Sequence, residues 1–463
     1  MFFKRIYEQE LAQASYVIGC QQAGRAVVVD PRRDIGAYLE VAAANGLEIA
    51  AVTETHVHAD YLSGARELAA ATGAALYLSD EGGEDWRYRF EHEPLHDGDE
   101  IAVGQVRLRA QHTPGHTPEH LSFMVIDGAT ADAPGIALTG DFVFVGDVGR
   151  PDLLDETTGG ESSREPMARQ LYRSLRQVFL ALPDYVQVWP GHGAGSACGK
   201  ALGAVASSTV GYERRFAWWA GYLQQGDEDG FVAELLSGQP DAPSYFGRMK
   251  RQNRAGPALL GALPPLERFG MPALERLIEQ GARLLDTRPK EAYLQGAVPS
   301  SLHVPAGRSF GAWAAWVLDP ESDPRPLVLL ARSAQQAEAL RDGLSRIGVD
   351  EVIGYATSTE GLPRERVATI RASELGQLPE PFILDVRSES EYRDGHIPGA
   401  VRIHGGRVMR QLDALPQDRT ILLHCQSGAR SAVVGSALKA AGWDKVLELE
   451  GGYGAYRAHA GAA

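Results

Sequence analysis

One short stretch, His56-x-His58-x-Asp60-Tyr61, limits what this chain can fold into more than any other. An apolar β-type run, Ile49-Ala50-Ala51-Val52, precedes it, and a helix is predicted after it from Ser63 to Thr72, with Gly73 as the stop signal. The two imidazoles and the carboxylate therefore crowd onto a strand-to-helix loop, an arrangement suited to a metal. Three further pieces follow in order at strand ends: His112-Thr113-Pro114-Gly115-His116-Thr117, Leu138-Thr139-Gly140-Asp141 and Trp189-Pro190-Gly191-His192-Gly193.

The four pieces, in this order, resemble the metallo-β-lactamase fold. Binuclear hydrolases of that fold read His-x-His-x-Asp-His, whereas here the last position is Tyr61. A phenol is a poor zinc ligand beside imidazole, so the pattern predicts one metal rather than two.

The chain has 463 residues, too many for one core, and about 150 residues per domain suggests three domains. Hydrophobic residues at 44% and charged residues at 23% describe a globular protein. A formal net charge of −15 argues against a nucleic-acid partner, because phosphate binding needs a basic surface. No apolar run reaches the ~18 residues of a membrane span, and Glu8 and Glu10 interrupt any signal-peptide core. A cytoplasmic location is expected, with no membrane partner. The cysteines, Cys20, Cys198 and Cys425, are too few and odd in number for a disulfide framework.

Short β-type runs alternate with turns as far as about Thr130, predicting a β-rich sandwich with helices outside. Cys20 reads as a buried small hydrophobe. His112 reads as a structural loop residue, and His92 and His96 as solvated or core histidines. Met167, Leu171, Leu175 and Val178 recur at helical spacing. A further helix carrying Phe216, Trp218 and Trp219 is expected past Cys198, its aromatics serving the core or a subunit interface. The basic run Phe246 to Arg254 reads as a solvated face, with a site for an acidic thiol as the alternative. A Pro/Gly-rich stretch from Gly256 to Pro265 marks a domain boundary.

The remainder repeats internally. Leu285-Asp286-Thr287-Arg288, Tyr293, Gly296 and Pro299 match Leu384-Asp385-Val386-Arg387, Tyr392, Gly395 and Pro398, each pair 99 positions apart. The predicted domains are residues 1–262, 263–360 and 361–463. In the last, the β-type run Thr420-Ile421-Leu422-Leu423-His424 delivers Cys425 to the loop Gln426-Ser427-Gly428-Ala429, and Arg430 opens a helix. Backbone N–H groups curling around the sulfur, with the helix N-terminus behind them, favour a thiolate or persulfide anion.

This loop, with Asp385-Val386-Arg387 and Gly395-His396-Ile397-Pro398-Gly399-Ala400, resembles the rhodanese sulfurtransferases. Related phosphatases place five residues between Cys and Arg; the four here suit a single sulfur atom. The first copy has Ala331 where the second has Cys425, and so reads as a catalytically dead copy. The fold class is multi-domain α/β, a metallo-β-lactamase αββα sandwich followed by two rhodanese-like domains.

The whole chain resembles the persulfide dioxygenase–rhodanese fusions. The resemblance implies one Fe(II) per chain, zinc being the alternative, held by His56, His116 and Asp141. Two imidazoles and one carboxylate leave positions open for a sulfur ligand and O₂. His58 and Asp60 then orient ligands, Tyr61 lines the site, and His192 is an orphan of the lost second site. Arg150, in Gly149-Arg150-Pro151-Asp152, is a candidate substrate contact. The implied reaction oxidises a low-molecular-weight persulfide of glutathione, coenzyme A or a similar thiol to sulfite. Cys425 then carries sulfane sulfur to or from thiosulfate, its loop of Gln426, Ser427, Gly428 and Ala429 binding the substrate and Arg430 assisting. Cys198, in a Gly-rich loop past His192, is either a sulfur relay, with Lys200 favouring its thiolate, or a plain buried thiol. A homo-oligomer is expected. The competing reading is a zinc thioester hydrolase of the glyoxalase II type, using His56, His58, His116 and Asp141 around an activated water.

Overall fold

The computed structural model describes residues 1–154 and 163–461. They fall into two compact units, residues 1–239 with 246–262, and residues 240–245 with 263 onward.

The first unit is built on two six-stranded sheets. One carries β1 (Phe2–Glu8), β2 (Gln13–Cys20), β3 (Arg25–Val29), β4 (Glu48–Thr53), β5 (Ala75–Ser79) and β6 (Glu93–Leu95), in chain order. The other carries β7 (Glu100–Val103), β8 (Val106–His112), β9 (Leu121–Asp127), β10 (Ile136–Gly140), β11 (Gln187–Pro190) and β12 (Ser208–Thr209), also sequentially arranged. Side chains alternate between the two faces of a strand, and both faces are covered here. On β2 and β3, Ala14, Tyr16, Ile18, Val27 and Val29 meet Leu108, Phe123 and Leu138 of the other sheet. Their alternating neighbours Val17, Ala26 and Val28 pack instead with Tyr38 and Leu68, from helices Gly36–Ala44 and Ala65–Thr72. The second sheet is covered by helices that include Arg164–Gln177 and Glu228–Leu236. The result is an αββα sandwich.

The helix after the histidine cluster ends at Thr72, with Gly73 in the left-handed conformation at φ 72°. The helix expected around Phe216 to Trp219 is broken. Ala217 is extended at ψ 144°, separating Val210–Phe216 from Ala220–Gln225. That break lets Trp219 pack in the core at a T-shaped 5.6 Å from Phe179, while Phe216 stays 63% exposed.

The second unit holds two five-stranded sheets whose recorded pairings are all parallel. The first comprises β13 (Glu267–Arg268), β14 (Arg283–Asp286), β15 (Leu302–His303), β16 (Leu327–Leu330) and β17 (Val352–Ala356), ordered β13-β17-β16-β14-β15. The second comprises β18 (Thr369–Ile370), β19 (Phe382–Asp385), β20 (Val401–Arg402), β21 (Ile421–His424) and β22 (Val446–Leu449), ordered β18-β22-β21-β19-β20. The two orders are the same, as duplication requires. Among the described residues no helix is long and apolar enough to cross a membrane.

Candidate functional site

Each group at the centre of the first unit lies just past a strand: Asp30 after β3, His56 after β4, His116 after β8, Asp141 after β10 and His192 after β11. His56, His116 and Asp141 each offer a ligand atom, and these atoms lie within 4.8 Å of one another. Asp141 Oδ2 is 3.9 Å from His56 Nε2 and 3.6 Å from His116 Nε2, with all three side chains only 1% exposed. Among the described residues neither Asp141 oxygen has a hydrogen-bond partner. A buried carboxylate left bare is costly, and a cation bound between these groups removes that cost.

Burial pushes the Asp141 carboxyl up to about 6 and both imidazoles well below their ordinary range. The histidines are therefore neutral, the form that binds metal. Their outer nitrogens are occupied: His116 Nδ1 donates to the Arg150 carbonyl at 3.0 Å, and His56 Nδ1 meets Thr55 Oγ1 at 2.9 Å. That leaves Nε2 of each ring facing the carboxylate.

Asp30 is the organiser that sequence reasoning missed. It accepts from Thr55 N at 2.6 Å and Thr55 Oγ1 at 2.9 Å, so it holds the hydroxyl that holds His56. It also lies 3.1 Å from His58 Nε2. Burial opposes charge on His58, but Asp30, with the Glu54 and Asp60 carboxylates, outweighs it and lifts this histidine to about 9. The signal in the sequence was an aspartate closing the apolar run of β3, and in the structure it takes a left-handed φ of 54°.

Tyr61 is fully buried, its hydroxyl donating to the Asp30 carbonyl at 3.3 Å and accepting from Gln13 Nε2 at 3.2 Å. Burial raises its pKa well above the ordinary value, so it remains a neutral phenol. His192, however, is not isolated. With Asp60 and Cys198 it forms a second buried group whose ligand atoms lie within 4.8 Å of one another. His192 Nε2 sits 3.5 Å from Asp60 Oδ2 and 3.6 Å from Asp141 Oδ1, and among the described residues neither it nor either Asp60 oxygen has a hydrogen-bond partner. The sequence placed the loop after His192 over the metal, but it could not show that Cys198 comes beside Asp60.

Three expectations need correction. Lys200 does not activate Cys198: its ammonium is held by Glu234 Oε1 at 3.0 Å and by the Glu234 and Ser237 carbonyls. Burial first, then the Asp60 and Asp141 carboxylates, push the Cys198 thiol well above its usual range. Arg150 is buried, its guanidinium bound to Asp152 and to the Ala197 carbonyl at 2.9 Å. It thus fastens the Cys198 loop rather than standing open to a substrate. The basic run is not a solvated face either. It forms the helix Phe246–Ala255, which buries Arg248, Lys250 and Asn253. Asn253 ties down the His58 and Tyr61 carbonyls at 2.8 Å. Lys250 is 3% exposed, burial lowers it to about 8, and its charge contributes to lowering His116.

In the second unit β21 delivers Cys425, 1% exposed, to the loop before helix Ala429–Ala440. Gly428 takes φ 92° and donates its N–H to Cys425 Sγ at 3.2 Å. Arg430 is clamped by Glu391 through two 2.7 Å bonds. Arg387 lies over the Tyr453 ring at 4.0 Å and reaches Gln426 Oε1 at 3.3 Å. Gly452, at φ 62°, comes so near that a Cβ there would lie 2.4 Å from the Cys425 carbonyl oxygen. Lys290, from the first copy, donates to the Ser427 carbonyl at 3.0 Å. Sequence reasoning missed this contact because it joins residues far apart in the chain.

The metallo-beta-lactamase superfamily model matches residues 9–192, and the rhodanese-like domain model matches residues 371–459. A crystal structure of a metallo-beta-lactamase from Staphylococcus aureus is 37% identical, with a TM-score of 0.66, covering 76% of this chain and 98% of that one. The chain belongs to the metallo-beta-lactamase superfamily. Within it, a mitochondrial persulfide dioxygenase of Bos taurus is 25% identical over 200 residues, 42% of this chain and 68% of that protein. A hydroxyacylglutathione hydrolase of Methylobacillus flagellatus is 31% identical over 180 residues, 38% of this chain and 62% of that protein. The metallo-beta-lactamase domain is thus joined to a C-terminal rhodanese-like domain in one chain.

Proposed function

We propose that this protein oxidises low-molecular-weight persulfides with O₂ at the His56–His116–Asp141 centre and moves sulfane sulfur through Cys425. The observation that carries the reading is a two-imidazole, one-carboxylate metal group in the same chain as a cysteine held in a rhodanese-type loop. Fe(II), one per chain, would be held by those three residues and supply open positions for sulfur and O₂.

The balanced reaction is RSSH + O₂ + H₂O → RSH + SO₃²⁻ + 2 H⁺. In it Asp30, through Thr55, fixes the tautomer of His56, and the Arg150 carbonyl fixes that of His116. Lys250 supplies buried positive charge toward an anionic persulfide. Cys198, held by the loop that Arg150 fastens, would take the outer sulfur of RSSH as a cysteine persulfide, with RSH leaving and receiving the proton that the buried Cys198 thiol gives up. At Cys425 the thiolate attacks the outer sulfur of thiosulfate, releasing sulfite and leaving a cysteine persulfide, and the same step run backwards makes thiosulfate. Gly428 N–H and Arg430 stabilise the anionic sulfur. Glutathione or coenzyme A persulfide is the intended substrate class, and the domains act as residues 1–262, 263–360 and 361–463.

The test is a separation of activities. His116→Ala should abolish persulfide-driven O₂ uptake while thiosulfate-to-thiol transfer continues. Loss of both, or of neither, would contradict the assignment.

One observation favours a second reading. Asp60, His192 and Cys198 could hold a second metal next to the first, as a binuclear zinc thioester hydrolase requires. Hydrolysis of S-lactoylglutathione by the zinc-loaded protein, with no O₂ uptake by the iron-loaded one, would select it.

A further inference from the structure

The first rhodanese-like copy has lost its cysteine and kept a cavity. About 660 Å³ of space opens at the C-terminal ends of β14, β16 and β17, where the second copy holds the Cys425 loop. In the second copy four residues separate Cys425 from Arg430, and the helix starts at Ala429. In the first copy the chain turns sooner. Ser333 caps a helix that starts at Ala334, its hydroxyl accepting from Gln336 N at 3.2 Å. The shorter turn leaves open the room that a sulfur-holding loop would fill.

The lining is cationic and polar. Arg288 lines it but is committed to Asp286 and to the Gly296 carbonyl. Arg332 and Arg364 also line it, and neither pairs with a carboxylate among the described residues. Arg364 makes one 3.3 Å bond to the Thr359 carbonyl. Glu360 is the single acid in the lining, which Gln336 and several hydroxyls complete. Two guanidiniums without a carboxylate partner among the described residues, in a cavity within the usual range of small-molecule sites, call for a ligand with two anionic groups. The volume is far more than one sulfate-sized oxyanion fills.

We infer that the first copy is a binding site, not an enzyme: it takes a peptide-sized ligand bearing two carboxylates, a class that includes glutathione, on Arg332 and Arg364. No bond is made or broken there, because Ala331 offers no nucleophile. The inference does not depend on the metal-centre reading.

Hydrogen exchange on the full chain with millimolar glutathione tests it. The expected result is protection of peptides spanning 331–336 and 357–364. S-methylglutathione should give the same protection, since the carboxylates and not the thiol are held. Arg332→Ala combined with Arg364→Ala should weaken that protection at least about tenfold, with unchanged melting temperature and unchanged O₂ uptake. Both side chains are exposed and, among the described residues, free of ion pairs, so the variant should fold. Absence of protection, protection that survives the double substitution, or equal protection by thiosulfate alone would overturn the inference.

Discussion

In the first rhodanese-like copy β14 ends at Asp286, whose carboxylate holds Arg288 at 2.5 Å, and that guanidinium donates to the Gly296 carbonyl at 2.8 Å. In the second, β19 ends at Asp385, which holds Arg387 at 2.7 Å, and Arg387 donates to the Gly395 carbonyl at 2.8 Å. Strand order and supporting ion pair are the same, and the difference that bears on chemistry comes just beyond β16 and β21. One continues into Ala331 and a serine-capped helix, the other into Cys425 and a glycine that points its N–H at the sulfur. A shared scaffold is therefore compatible with a sulfur-handling loop or with an open polar cavity, and a few residues decide which. The contact from Lys290 shows that the copy without a nucleophile still bears on the one that has it.

The largest expected effect is at that divergence. Cys425→Ser should lower thiosulfate-to-thiol transfer by about a thousandfold or more, as loss of a nucleophile does. Its sharper partner is Ala331→Cys. The first copy lacks the residue count to close a loop on sulfur, so mass spectrometry after thiosulfate treatment should find one added sulfur at Cys425 and none at the introduced cysteine. A persulfide on that residue would show that the scaffold alone suffices and break the comparison.

A smaller effect is expected at Lys290. Lys290→Met removes a charge-assisted hydrogen bond to the Ser427 carbonyl, and should lower transfer about three- to tenfold. Lys290→Arg should recover most of it. A rate unchanged in Lys290→Met would confine the first copy to its own cavity.

The smallest concerns stability. Glu448 lies on β22 of the second copy, and burial raises its carboxyl from 4.5 to about 8. A carboxyl that binds its proton more tightly folded than unfolded stabilises the fold below pH 4.5, and that contribution is lost as pH rises toward about 8. Urea midpoints for this unit should fall across that window, and Glu448→Gln should flatten the fall. An equally steep decline in the variant would place its origin elsewhere.

Much of this was legible in sequence because it is local or periodic. The short apolar runs read as strands separated by turns, and strand-end positions collect His56, His116 and Asp141. The duplication is written in equal spacing from Asp286 to Asp385 and from Pro299 to Pro398. What was not legible depends on chain returning from far away. Asp30 reaches His58 across the loop, Cys198 comes back to Asp60, and Arg150 spends its charge on Asp152 and Ala197. The helix Phe246–Ala255 misleads for another reason. Its charges resemble a solvated face, yet tertiary packing buries Arg248 and Lys250, and Asn253 of the same helix ties down the loop carrying His58.

The central claim is that the metallo-beta-lactamase domain is a mononuclear iron oxygenase for persulfides. The most direct measurement is metal analysis of anaerobically purified full-length protein, followed by O₂ uptake and sulfite formation on adding glutathione persulfide. The account predicts one iron per chain and one sulfite formed per O₂ consumed. Two metals per chain, or zinc-loaded protein that hydrolyses a glutathione thioester while the iron-loaded protein leaves O₂ untouched, would contradict it.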